Sequence, residues 1–180
     1  MRLVTYVLAH DEPLQRVGVL LRSGGLVANL GLLVDAAGVA IPTASMLELL
    51  GAGPRVLEQA GRLVDALERE LADGAGADHP AVASLDGVRL LAPIPRPGKL
   101  LCVGVNYRDH VLEVPKRSLP DEPFVFSKLP SVVIGPYDSI RHPGAPHTLD
   151  YEVELALVIG RSGRRIPPER ALEHVAPTRS

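Results

Sequence analysis

The run Pro93-Ile-Pro-Arg-Pro-Gly98 constrains this chain more than any other feature. Proline fixes φ at about −65°, removes a backbone donor and pushes the residue before it into an extended conformation. Neither a helix nor an inner strand can cross such a run, so it reads as a stiff, extended domain boundary. The expected units are a small N-terminal α/β domain, residues 1–92, and a second unit, residues 93–180. The same punctuation recurs throughout, because 17 glycines and 17 prolines cut the 180 residues into short elements. With 46% hydrophobic and 22% charged residues the chain can still bury a core. Many short strands and few helices predict an α+β fold dominated by β structure.

Residues 3–8 and 17–21 read as strands, Ser23-Gly24-Gly25 between Leu21 and Leu26 reads as a hairpin turn, and residues 26–34 read as a third strand weakened by Gly31. Ser45-Met-Leu-Glu48 has capping-box spacing at a helix start. Pro54 suits the first turn of the next helix, predicted over residues 55–72, where Val56, Leu57, Ala60, Leu63, Val64, Leu67 and Leu71 follow helical period. A loop over 73–80 and a short strand over 88–91 precede the boundary. Beyond it, strands are predicted over 99–105, 124–126, 132–134 and 151–159. A short helix is expected over 110–114 and the start of a last one over 167–174.

Several function classes are excluded early. The formal net charge is −2, from 19 basic and 21 acidic residues, which argues against a nucleic-acid partner. Aromatic residues are 3% of the chain, too few for a base-stacking platform. The single cysteine, Cys102, excludes an internal disulfide framework and a multi-cysteine zinc site, and it reads as a small core residue. No apolar run reaches the ~18 residues of a membrane helix. The N-terminal apolar run is too short for a signal peptide, so a cytoplasmic, reducing compartment is expected.

The most pointed motif is Asp150-Tyr-Glu-Val-Glu-Leu-Ala-Leu-Val-Ile159. On a strand, Glu152 and Glu154 share one face, about 6.5–7 Å apart, while Tyr151, Val153, Leu155 and Leu157 share the other. Two carboxylates converging to about 5 Å in a partly buried site repel by roughly 3 kcal/mol. A hard divalent cation such as Mg²⁺, Mn²⁺ or Ca²⁺ removes that cost. The alternative is a solvated strand face with two unrelated acids. Asp150 lies about 13 Å from Glu154 along an ideal strand, so a third carboxylate has to come from elsewhere.

A second pair is His110 and Glu113, at i and i+3 of the expected short helix. A carboxylate beside an imidazole orients the ring and raises its basicity, so the dyad can activate water or take a proton beside a carbonyl. The alternative is a surface or capping pair. His142 and His147 read as loop residues, and His10, His79 and His174 form no constellation.

Together the motifs resemble the fumarylacetoacetate hydrolase family. The pieces that carry the resemblance are Arg96-Pro-Gly-Lys-Leu-Leu-Cys-Val-Gly-Val-Asn-Tyr-Arg-Asp-His110, Pro123-Phe-Val-Phe-Ser-Lys128, Ser131-Val-Val-Ile-Gly-Pro136 and Leu149-Asp-Tyr-Glu-Val-Glu-Leu-Ala-Leu-Val-Ile-Gly160. They span about residues 93 to 175. Residues 1–92 resemble the small N-terminal domain of many bacterial members. The resemblance implies a β-rich, mixed-sheet catalytic domain that dimerises. It implies Mg²⁺ or Mn²⁺ held partly by Glu152 and Glu154, His110 and Glu113 as the water-activating or proton-shuttling pair, and Lys128 near a substrate carboxylate. The implied activity is hydrolysis, decarboxylation or isomerisation of a small oxo-acid or diketo-acid such as an acylpyruvate. The family pattern continues past the segment matching His174-Val-Ala176 with Gly-Tyr-Thr and later Asn-Asp-Val-Ser, which brings the third metal carboxylate. Here Pro177-Thr-Arg-Ser180 follows. The expectation is therefore an incomplete catalytic domain without its third ligand. The alternative function is an inactive truncated fragment, at most a folded or dimerising module.

Overall fold

The computed structural model describes residues 1–11, 13–75, 78–109 and 121–176. Five strands within residues 2–91 make one antiparallel sheet: β1 (Arg2–Leu8), β2 (Arg16–Leu20), β3 (Leu26–Asn29), β4 (Val82–Ser84) and β5 (Val88–Leu91), in the order β4-β3-β2-β1-β5. Three helices accompany it: α1 (Leu30–Ala37), α2 (Met46–Gly51) and α3 (Pro54–Glu70). A separate two-stranded antiparallel ribbon pairs β6 (Leu100–Gly104) with β7 (Phe124–Lys128). The described strands all pair antiparallel, so the mixed sheet expected from the sequence is not what these residues form.

The hairpin between β2 and β3 turns at Gly24 and Gly25, both at positive φ, which glycine adopts without a Cβ clash. Leu21 N–H donates to Leu26 O at 3.0 Å and sets the register. Arg22 ties this hairpin to α3. Its guanidinium lies 2.8 Å from Asp65 and 3.1 Å from Glu68.

The third strand is shorter than expected. It stops at Asn29, whose side chain accepts the Leu32 N–H and caps α1. An N-cap side chain satisfies a donor that the first helical turn leaves free, so the apolar run over 30–34 winds instead of extending. Gly38, left-handed at φ 61°, closes that helix. Ser45 caps α2 by accepting the Glu48 N–H, as the spacing predicts. Pro54 opens α3, which buries Leu57, Ala60, Gly61, Val64 and Leu67.

The core lies between these helices and one sheet face. Val17, Val19, Leu21 and Ala28 meet Leu30, Leu33, Met46, Leu49 and the buried stripe of α3. Each fully buried Leu or Val contributes about 1.5–3 kcal/mol of transfer free energy. On the opposite face the Tyr6 ring lies across Gly18, where an added Cβ would stand 2.7 Å from Tyr6 Cε1 and 2.7 Å from Ala28 O.

Beyond the proline run the packing changes. Among the described residues from 99 to 176 only His174 and Ala176 are buried. The strand expected over 132–134 is instead a 3-10 turn, Pro130–Val132, followed by extended chain. The last helix is a 3-10 segment, Pro168–His174. The helix expected over 110–114 lies outside the described residues. Residues 151–159 are not a strand either. A strand needs a partner for its backbone groups, and among the described residues the only pairing here is an isolated bridge between Ile159 and Val175.

Two substitutions test the sheet packing. Gly18→Ala should destabilise the chain by about 1–3 kcal/mol, because Ala28 O is backbone and cannot step aside. Gly51→Ala, at a helical glycine with no atom within 4 Å of an added Cβ, should stabilise it by about 0.4–1 kcal/mol. Urea melts of both variants check the opposite signs. Burial pushes the Tyr6 hydroxyl above its ordinary value of 10.0, with Arg16 and the Asn29 side chain pulling the other way. The folded chain therefore keeps this proton where the unfolded chain loses it, and stability falls as pH rises past about 10. Tyr6→Phe should flatten that alkaline limb in melts between pH 8 and 11.

Candidate functional site

The first element of the site is the end of β6. The strand was expected to reach Val105, but it stops at Gly104 because Val105 adopts φ 58°. A β-branched residue in the left-handed region is strained, at a cost of about 1–3 kcal/mol, and such strain gathers at functional sites. Asn106-Tyr-Arg-Asp109 follows that kink. His110 and Glu113, which follow, lie outside the described residues.

The second element is the acidic run. Glu152 and Glu154 are both exposed, on extended chain rather than on a paired strand. Tyr151, Val153, Leu155 and Leu157 are also exposed, between 60% and 88%, so the alternation does not separate a wet face from a dry one. The two elements meet at one hydrogen bond. Leu155 N–H donates to Tyr107 Oη at 3.1 Å across 48 residues of sequence. Among the described residues it is the run's only hydrogen bond to another part of the chain before Val158. Tyr107 lies inside the 96–110 motif, where no periodicity or spacing marks it for this contact.

The third element is Lys128, at the end of β7. Its Nζ lies 5.9 Å from the Phe126 ring centroid, within cation–π range. Its side chain is exposed.

Glu152 and Glu154 fit a hard divalent cation in kind, since both offer carboxylate oxygens and Mg²⁺ accepts one or two carboxylates with water in the remaining positions. They do not form a closed centre. Among the described residues no three His, Cys, Asp or Glu side chains gather to hold a metal ion. An apolar cavity of about 640 Å³ adjoins the run, lined by Met46, Leu50, Leu57, Leu155, Leu157 and Ala176 among others. Glu58 is its one ionisable lining side chain, so its walls do not suit a small diacid.

His174, which the sequence left without a role, is structural. It is buried with Nδ1 3.0 Å from Arg161 O, and its carbonyl accepts from Gly160 N–H and Arg161 N–H. His142 Nδ1 accepts Gly144 N–H within its loop. No helix among the described residues is long and apolar enough to cross a membrane.

Comparison with known proteins agrees with the motifs. The chain is 37% identical over 177 residues to the mitochondrial oxaloacetate tautomerase fahd2 of Xenopus laevis, covering 97% of this chain and 49% of that protein. It is 40% identical over 138 residues to the oxaloacetate tautomerase YisK of Bacillus subtilis, covering 73% of this chain and 43% of that one. A crystal structure described as an HpcE protein from Mycobacterium smegmatis matches with TM-score 0.60 and 28% identity, over 95% of this chain and 51% of its own. The chain thus spans about half the length of such relatives. Residues 99–177 match the family model described as fumarylacetoacetate (FAA) hydrolase C-terminal, and the chain belongs to the fumarylacetoacetate hydrolase family.

Proposed function

We propose that this chain carries part of an enzyme that acts on small oxo-acids, with keto–enol tautomerisation of oxaloacetate as the reaction class. The observation that carries the reading is the 37% identity, over nearly the whole chain, to a protein named oxaloacetate tautomerase. That name narrows the hydrolase, decarboxylase and isomerase outcomes expected from the sequence to the isomerase side. The reading keeps residues 1–92 as a small domain and residues 93–180 as the first part of the catalytic one, in an assembly that dimerises.

Tautomerisation removes a proton from the carbon beside the keto group and returns a proton to the keto oxygen. His110, oriented by Glu113, would take and return that proton. Lys128 would face a substrate carboxylate. Glu152 and Glu154 would hold Mg²⁺ or Mn²⁺, which supplies positive charge to polarise the keto oxygen.

A second reading is a folded module without turnover. It is favoured by the lack of a third ligand beside Glu152 and Glu154 among the described residues. Two carboxylates leave most of an octahedral shell to water, so the 180-residue chain should bind Mn²⁺ weakly. Glu152→Gln and Glu154→Gln should each weaken binding by at least about tenfold, read by Mn²⁺ titration in electron paramagnetic resonance. Any oxaloacetate tautomerisation, followed by enol absorbance, should fall by about 10²–10⁴-fold in His110→Ala while Mn²⁺ binding stays unchanged. Turnover that survives both His110→Ala and the double glutamine variant would refute the enzymatic assignment of these residues. Mn²⁺ binding without turnover in the unmodified chain would favour the module.

A further inference from the structure

We propose that Tyr107 is a positioning residue, whose hydroxyl holds the Glu152–Glu154 run against the segment that leads to His110. The inference rests on reading Glu152 and Glu154 as ion ligands, and it assigns the residue that sets where they stand.

The acidic run has little else to hold it. Its apolar side chains are exposed, and its backbone is unpaired until Ala176 N–H donates to Val158 O at 2.7 Å. Without a fixed point before that, two carboxylates on extended chain sample many separations, and an ion that needs both must select one. The Leu155 N–H bond to Tyr107 Oη supplies that point, one residue from Glu154. The other end of the tether is fixed as well. Tyr107 follows the strained turn at Val105, and that turn leaves a strand whose pairing with β7 is regular from Leu100 to Gly104. A phenol reaches farther than a serine or threonine hydroxyl, and here it is used as an acceptor. A phenylalanine at this position would keep the ring and lose only the tether.

Amide exchange and Mn²⁺-induced line broadening on the ¹⁵N-labelled 180-residue chain test the inference. In the unmodified chain, Mn²⁺ should broaden the amides of residues 152–155. Tyr107→Phe should speed Leu155 exchange and weaken Mn²⁺ binding, each by roughly three- to tenfold, the range expected for one net hydrogen bond. Exchange in β1, β2 and β3 should not change. Leu155→Pro, which removes the donor from the other side, should weaken Mn²⁺ binding by a similar factor. The double variant should fall no further, because both substitutions break one interaction.

Unchanged Leu155 exchange in Tyr107→Phe would overturn the tether. Faster exchange with unchanged Mn²⁺ affinity would overturn the positioning role, and so would fully additive losses in the double variant. Failure of the ion reading has a different signature. Mn²⁺ would then broaden nothing near 152–155 in the unmodified chain, and the positioning role would fall with it even where Leu155 exchange still responds to Tyr107→Phe.

Discussion

The burial of the α3 stripe against β2 and β3 is the interaction on which the rest of the molecule depends. It places Leu57, Ala60, Val64 and Leu67 on the same cluster as Val17, Val19, Leu21 and Ala28. Packing of this kind contributes in proportion to apolar area removed from water. The described residues beyond the proline run bury almost none of their own. Beside the β6–β7 ribbon and the contacts of His174, a few specific contacts tie that part to the first sheet. Thr5 Oγ1 donates to Pro93 O at 2.7 Å and fixes the start of the proline run. Gly135 sits so close to β5 that a Cβ would stand 2.9 Å from Leu90 O. Asp138 accepts the Gly135 N–H at 2.7 Å and faces Arg89 at 3.7 Å.

This asymmetry explains which parts of the fold were legible in the sequence. Where a segment meets the core, local pattern and tertiary outcome agree. The helical period over 55–72 became α3, Ser45 capped α2, and Gly24-Gly25 turned the β2–β3 hairpin. The run over 26–34 failed for a local reason, since apolar composition is shared by buried strands and buried helices and the Asn29 cap decided between them. The strand β4 was missed because three residues are too few to show alternation.

Beyond the boundary the misses have another cause. Val132–Ile134 and Tyr151–Ile159 have strand composition, with β-branched and aromatic residues in the right proportion. Composition states only that a segment fits a pleated, half-buried surface. It does not supply the neighbouring backbone that makes the surface. The ribbon of β6 and β7 formed because each strand had the other. Among the described residues the acidic run has no strand partner before Val158, so its alternation is written in the sequence but is not expressed as two faces. The candidate residues were legible by type and by motif, whereas their separation depends on partners that the motif does not contain.

The same reasoning bears on how a site of this kind can work. An ion bound by carboxylates on a paired strand inherits its geometry from the sheet, and the pleat holds alternate side chains at a fixed spacing. Carboxylates on unpaired extended chain inherit no spacing and must be placed by contacts of their own. Ordering costs about 1–2 kcal/mol per residue of backbone, more than one exposed hydrogen bond returns. The single bond from Leu155 to Tyr107 can therefore bias the run without freezing it. Strain at Val105 makes that bias more specific. A turn held in a rare conformation has few alternatives, so the phenol is offered from one direction. Fixing Glu152 and Glu154 more firmly requires additional backbone pairing along 151–157, and each bond added there would convert ordering cost into ion affinity.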